Sequence, residues 1–187
     1  MGKRLFDIAI SCIALLLFGG LIFLGWIAAS IDTKNNGFFR QQRIGQFAKP
    51  FYIIKLRSMR NNDADVKSIS KFGRFMRRAK IDEWPQLINI LCGEMSLVGP
   101  RPDIQGYYDL LKRENLKILE LKPGLASSAS LKYFNEEYLL SQQQDSLVYN
   151  DNVIFPDKVK LNLHYYYDHS LLGDLKIIHK TLLRYIP

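Results

Sequence analysis

IAISCIALLLFGGLIFLGWIAASI, residues 8–31, runs for 24 positions without a charged side chain. As a helix it would be about 36 Å long, enough to cross a hydrocarbon core of about 30 Å. Lys3-Arg4 before it and Ala28-Ala29-Ser30 near its end loosely suggest a secretory leader, but leaders carry only about 7 to 15 apolar residues. The segment therefore reads as a retained membrane helix. Basic residues lie on both sides, Lys3 and Arg4 before it and Lys34, Arg40, Arg43, Lys49, Lys55 and Arg57 after it, so positive-inside bias favours both ends in the cytoplasm. Gly19-Gly20 stands at the midpoint, where each glycine weakens a helix by roughly 1 kcal/mol and permits a bend. Two readings stay open: a re-entrant hairpin bent at Gly19 and Gly20, or an ordinary single span whose glycines pack.

Outward from this run, Asp32-Thr33-Lys34-Asn35-Asn36-Gly37 is a polar, turn-rich connector. Residues 38–43 and 51–57 are rich in aromatic and β-branched side chains and are separated by Gly45 and Pro50, which predicts a small hairpin or two extended strands. Residues 61–70 read as a loop. Residues 71–79 place Phe72, Phe75, Met76 and Ala79 at helical spacing with Lys71, Arg74, Arg77 and Arg78 mostly opposite, a basic amphipathic helix. Such a helix suits a headgroup layer, but a docked helix with a solvated charged face fits the same pattern. A further helix is expected to start at Asp82 as N-cap, to bury Leu87, Ile90 and Leu91, and to stop at Gly93. Residues 103–114 read as a helix, Lys122-Pro123-Gly124 as a turn, and residues 171–186 as an amphipathic helix with Leu171, Leu175, Ile178 and Leu182 on one face. Residues 127–157 carry no clear period. The expected fold class is α+β, mainly α, with residues 1–31 as membrane helix and residues 32–187 as one catalytic body.

The chemistry-bearing residues concentrate between Asp82-Glu83-Trp84-Pro85-Gln86-Leu87 and Gly99-Pro100-Arg101-Pro102. Neighbours on a helix point about 100° apart, so Asp82 and Glu83 are not the facing pair of a glycosidase. At a helix start, however, free amides favour anions, and an ionised Asp82 can attack phosphorus while a divalent ion offsets its repulsion from a diphosphate. Taken alone, Asp-Glu before an apolar helix is most often a cap. Its surroundings are cationic: Lys55, Arg57, Arg77, Arg78 and Arg101 suit phosphate oxygens, and the two prolines fix the backbone around Arg101. Phosphoryl transfer needs positioning and charge neutralisation, which a carboxylate, Mg²⁺ and a few cations supply.

Composition bounds the alternatives. The chain has 187 residues, 48% of them hydrophobic, and a formal charge of +8, which favours anionic partners without choosing among them. Cys12 and Cys92 are too far apart in sequence to suggest a metal cluster or disulfide framework, and no P-loop, dinucleotide fingerprint, nucleophile elbow or zinc-ligand spacing occurs. His164, His169 and His179 fit ordinary surface or interface roles.

In combination, several motifs closely resemble the monotopic phosphoglycosyl transferases, the bacterial sugar transferase family. They are Phe39-Arg40-Gln41-Gln42-Arg43-Ile44-Gly45, Lys55-Leu56-Arg57-Ser58-Met59, the two stretches around Asp82 and Arg101, Lys122-Pro123-Gly124 and Asp174-Leu175-Lys176-Ile177. The resemblance covers nearly the whole chain in a minimal form. It implies a re-entrant membrane helix, interfacial amphipathic helices and a small mixed body on the cytoplasmic face of the bacterial inner membrane. It also implies that Asp82 attacks the β-phosphate of a UDP-sugar, expels UMP, carries the phospho-sugar covalently and yields it to undecaprenyl phosphate, which starts glycoconjugate assembly. Glu83 would complete the acidic pair with Mg²⁺, and Arg77, Lys55 and Arg101 would hold phosphate or nucleotide. Nucleic acid is not an expected partner, and a homodimer stays open. The sequence departs from the family pattern at Gly19-Gly20, where Ser-Pro is usual, at residues 125–130, and at Asn162, where an acid is common. A non-catalytic, membrane-tethered module binding anionic lipid or nucleic acid is the alternative from another class; the Asp82-Glu83 pair argues against it, because acids weaken a pure anion-binding surface.

Overall fold

Residues 2–61 and 67–185 are described by a computed structural model of the chain, which is mainly helical with a few short strands. Its contacts divide into two units, Met1–Arg43 with Pro50–Leu97, and Ile44–Lys49 with Val98–Pro187.

In the first unit, α1 (Gly2–Thr33) is one unbroken helix. It is long and apolar enough to cross a membrane, and only 11% of its most apolar window is buried. Leu16, Leu17, Leu21, Phe23 and Leu24 all face outward, so no protein core accounts for that surface. The helix continues through Gly19 and Gly20, and a Cβ built on either meets nothing within 4 Å; neither glycine is required by close packing within the chain.

Both ends of α1 are fastened to this same unit. The Arg4 guanidinium donates to the carbonyls of Ile90 (2.6 Å) and Leu91 (2.9 Å) in the last turn of α3 (Gln86–Cys92). The buried Asp7 carboxylate accepts from the Ser96 hydroxyl (2.8 Å) and the Leu97 amide (3.1 Å). At the other end, Asp32 accepts from the Ser70 hydroxyl (2.7 Å) and pairs with Arg60. Between them Ala29 packs with Leu56 and Met76 in a core flanked by Trp26, Phe38, Phe72 and Ile81, and the Phe18 and Trp84 rings meet with centroids 4.9 Å apart.

The expected strands form β1 (Phe38–Ile44) and β2 (Pro50–Leu56), paired in a two-stranded sheet. The expected loop at 61–70 is bounded instead by β3 (Arg60–Asn61) and β4 (Lys67–Ser68), antiparallel with Arg60 opposite Ser68; its centre lies outside the described residues. Ser70 caps α2 (Lys71–Arg78), its hydroxyl accepting from the Gly73 amide at 2.9 Å. Met76 is buried and Phe72 half-buried as the pattern predicts, while Phe75 points outward. A Cβ on Gly73 would lie 2.1 Å from the Ser58 carbonyl oxygen, so glycine lets α2 lie directly against that backbone.

The helix expected to begin with Asp82 as its N-cap does not. Lys80 adopts a left-handed conformation (φ 54°), a 3₁₀ turn follows over Ile81–Glu83, and α3 starts only at Gln86, after Pro85. The reversal at Lys80 directs both acids inward. Gly93 ends α3 at φ 85° as expected, and β5 (Ser96–Val98) follows.

In the second unit, residues 103–114 are not the expected helix. Gly106 (φ 100°) and Arg113 (φ 55°) interrupt it, leaving 3₁₀ turns at Tyr108–Leu110 and Arg113–Glu120. β6 (Gly124–Ala126) runs beside residues 98–100, with Gly99 N–H donating to the Ala126 carbonyl (3.1 Å) and Gly124 N–H to the Pro100 carbonyl (2.8 Å). A Cβ on Gly124 would come within 2.1 Å of the Gly99 nitrogen; the two proline-glycine motifs are packed backbone to backbone. The stretch without a clear period holds α4 (Ser128–Lys132), α5 (Glu136–Ser141), α6 (Ser146–Tyr149) and a π-helical turn at Asn150–Ile154. α7 (Phe155–Asp168) and α8 (Leu171–Tyr185) complete the unit. Ile44, Tyr108, Ile118 and Val159 form its core. The leucines expected to line one face of α8 do share a face, but Leu171, Leu175 and Leu182 are exposed, so that stripe is not a core stripe.

Candidate active site

Asp82 and Glu83 lie side by side on the 3₁₀ turn of the first unit, both at least nine-tenths buried. Their surroundings separate their roles. Glu83 is neutralised: its Oε1 is 3.2 Å from Lys55 Nζ on β2 and 3.7 Å from Lys80 Nζ. Asp82 Oδ1 is buried and has no hydrogen-bond partner. Burial, reinforced by the neighbouring Glu83 charge, raises the Asp82 pKa to about 6, against the opposing attraction of Lys55, Lys80 and Arg77. At neutral pH the group is thus an ionised, poorly solvated carboxylate, the electrostatic condition for a nucleophile.

Lys55 is held in place by a residue that sequence reasoning missed. Asn89, buried on α3, accepts from the Ile54 amide (3.1 Å), and its side-chain amide donates to the Tyr52 carbonyl (2.8 Å) and to Glu94 (2.7 Å). It bonds β2 to α3 one residue from Lys55. The available signal was an amide between the buried Leu87 and Ile90, a polar group that burial obliges to be hydrogen-bonded. Lys80 was missed as well, since nothing in sequence announces a left-handed turn that folds it back on Glu83.

The other predicted cations are distributed unequally. Arg77, half-buried on α2, acts on Asp82 electrostatically and lies 3.9 Å from the Met59 sulfur. Arg57 turns to the connector, donating to the carbonyls of Asn36 (2.8 Å) and Phe38 (3.4 Å) with its guanidinium 5.5 Å from the Phe39 ring centroid, and is not brought to the acids. Arg78 is exposed on α2. Arg101 is half-buried in the second unit, where it influences Tyr108. Asn162, in the place of a common acid, donates to the Tyr108 hydroxyl (2.7 Å) and is buried. Nearby in the same unit, the Tyr165 hydroxyl donates to buried Asp174 at 2.6 Å.

Among the described residues no group of three or more His, Cys, Asp or Glu could hold a metal ion. The acidic pair alone still suits Mg²⁺: a hard cation takes one or two carboxylates and fills its remaining positions with substrate phosphate and water, and the unpartnered Asp82 oxygen is such a donor.

Comparison with known proteins fits this geometry. The sequence profile of the bacterial sugar transferases matches residues 1–187. A UDP-glucose:undecaprenyl-phosphate glucose-1-phosphate transferase of Caulobacter vibrioides is 32% identical over 195 residues, covering 96% of this chain and 68% of the relative. The sugar transferase EpsL of Bacillus subtilis, itself uncharacterised, is 33% identical over 189 residues, covering 96% and 85%. An Escherichia coli enzyme with the same transferase name as the Caulobacter protein is 30% identical over 195 residues, covering 97% of this chain and 39% of the longer relative. The chain belongs to the bacterial sugar transferase family. These relatives are transferases, and they do not favour the alternative of a non-catalytic tethered module.

Proposed function

We propose that the chain is a phosphoglycosyl transferase that moves a sugar-1-phosphate from a UDP-sugar to undecaprenyl phosphate and releases UMP. The observation that carries this reading is the buried, unpartnered Asp82 oxygen beside an ion-paired Glu83, in a chain related to proteins named for that transfer.

In the first half-reaction an Asp82 oxygen attacks the sugar-bearing β-phosphorus. The bond from that phosphorus to the bridging oxygen breaks, UMP departs with the electron pair, and the phospho-sugar remains on the aspartyl oxygen. In the second, an oxygen of the polyprenyl phosphate attacks the same phosphorus and displaces the Asp82 carboxylate, giving the polyprenyl diphosphate sugar and the free enzyme. Lys55, Lys80 and Arg77 lower the cost of gathering this negative charge. A phosphate-holding role for Arg101 rests on the family resemblance of its Gly99-Pro100-Arg101-Pro102 motif. Mg²⁺ held by Asp82 and Glu83 would supply charge neutralisation for the diphosphate.

Membrane attachment through α1 brings a lipid-borne acceptor and a soluble donor to one interface. The fastening of Arg4 and Asp7 at one end, and of Asp32 at the other, to a single folded unit keeps both ends of α1 beside that unit, which supports placing both on one side of the bilayer, taken as the cytoplasmic face of the inner membrane, with α1 continuous through Gly19 and Gly20.

The test uses membranes supplied with undecaprenyl phosphate and a panel of UDP-sugars. One donor is expected to yield Mg²⁺-dependent UMP release, and quenching with donor alone is expected to add the mass of a phospho-sugar to the chain. Turnover retained by Asp82→Asn, or product formation without any such adduct in a quenched sample, overturns the nucleophile assignment.

A further inference from the structure

The second unit carries a basic groove whose lining includes neither Asp82 and Glu83 nor the cations assigned to the transfer. It lies between α4 and α8, is open to solvent and has a volume of about 630 Å³, within the range of small-ligand sites. Lys132 from α4 and Lys176, Lys180 and Arg184 from α8 line it, with Leu131 and Ile177 also contributing to its walls. Four cations contribute, and no acid lines it.

The arrangement follows from the helical period. Lys176, Lys180 and Arg184 recur every four residues and form one stripe along α8. One of the four cations already has a counter-charge, since Lys132 pairs with Asp157 at 2.7 Å. Arg184 lies 5.6 Å from the Phe134 ring centroid, which steadies its guanidinium without neutralising it. Lys176 and Lys180 are exposed and have no carboxylate partner among the described residues. Like charges gathered along a concave wall repel one another, and an anion placed among them removes that cost.

We propose that this groove is a binding site for a phosphate group, distinct from Asp82 and Glu83. Multiple ammonium donors with one guanidinium suit the several oxygens of a phosphate monoester. Two sources share this chemistry: the headgroup of an anionic lipid, and free phosphate. The exposed Leu171, Leu172, Leu175 and Leu182 continue along α8 beside the basic stripe, a neighbourhood in which a lipid-borne phosphate gains apolar contact that a free one does not.

The full chain in neutral detergent, without sugar nucleotide, is titrated calorimetrically with dihexanoyl phosphatidic acid, with inorganic phosphate, and with dihexanoyl phosphatidylcholine as zwitterionic control. One equivalent of phosphatidic acid is expected to bind, more weakly at high salt. The affinity should fall by about tenfold or more in Lys176→Ala/Lys180→Ala and in Lys180→Glu, and stay within about twofold in Lys180→Arg, which keeps the charge. Because position 180 is exposed, this pair of single variants separates loss of charge from loss of fold. Inorganic phosphate binding with the same variant pattern supports the site and assigns it a soluble ligand. Affinities unchanged in Lys180→Glu for both probes, or equal binding of phosphatidylcholine, overturn it. The site does not depend on the proposed transfer: Asp82→Asn should bind phosphatidic acid as the unaltered chain does, so failure of either proposal is seen separately.

Discussion

Lys55 Nζ stands 3.2 Å from Glu83 Oε1, whereas the carboxylate next to it, Asp82, keeps one buried oxygen without a partner. Two adjacent acids of opposite fate follow from this one ion pair. Glu83 is held in its ion pair, while burial first and the neighbouring Glu83 charge second make Asp82 hard to ionise.

That asymmetry predicts a trade between activity and stability. Folding raises the Asp82 pKa from 3.8 to about 6, so ionising it costs the native state about 3 kcal/mol once the pH exceeds 6. Both states are protonated below about pH 4, and the penalty grows between the two values. Asp82→Asn should therefore lose UMP release and yet melt at a higher temperature than the unaltered chain at pH 7.5. That advantage should shrink toward zero as the pH falls from 6 to 4, as thermal melts in detergent would show.

Transfer itself should follow the ionised fraction. Single-turnover rates should rise about tenfold per pH unit below 6 and level off above it. Lys55→Met removes an attraction that lowers the Asp82 pKa, so its profile should be displaced to higher pH. An unmoved acid limb in that variant would assign the titration to another group.

Asn89 is expected to act on catalysis through position alone. Asn89→Ala leaves the Ile54 amide and Tyr52 carbonyl without their partner, a loss of about 2–3 kcal/mol for buried groups. Denaturant titration should register that loss, and turnover should fall because β2 no longer fixes Lys55 against Glu83. Asn89→Leu, which fills the space but makes no hydrogen bonds, should not restore turnover.

Topology gives a fourth expectation. With the exposed Cys12 and Cys92 first replaced by serine, single cysteines at positions 3 and 34 should react with an impermeant maleimide from the same side of sealed vesicles. Labelling from opposite sides would exclude a helix that returns to the face it entered.

Much of this was legible in the sequence where local chemistry decides. The uncharged run produced α1, the aromatic stretches around Gly45 and Pro50 produced the β1–β2 pair, and Gly93 stopped α3. What failed depended on backbone reversals or on tertiary surroundings. The left-handed Lys80 moved the helix start from Asp82 to Gln86, and Gly106 with Arg113 broke the segment expected to be helical over 103–114. Periodicity grouped the leucines of α8 correctly but could not say whether their face is covered. In the site, the acids, Lys55 and Arg77 could be anticipated from composition around one motif. The diversion of Arg57 to connector carbonyls could not, because it rests on contacts with Asn36 and Phe38 set by the fold.

The contact between Phe18 on α1 and Trp84, the residue after Glu83, has a physiological corollary. With α1 in the bilayer as proposed, Asp82 and Glu83 are mechanically referenced to the middle of that helix, so the depth at which it floats sets their height above the acyl chains. Lipid mixtures of different thickness should then tune how easily a polyprenyl headgroup reaches Asp82, making the bilayer itself a gauge of turnover.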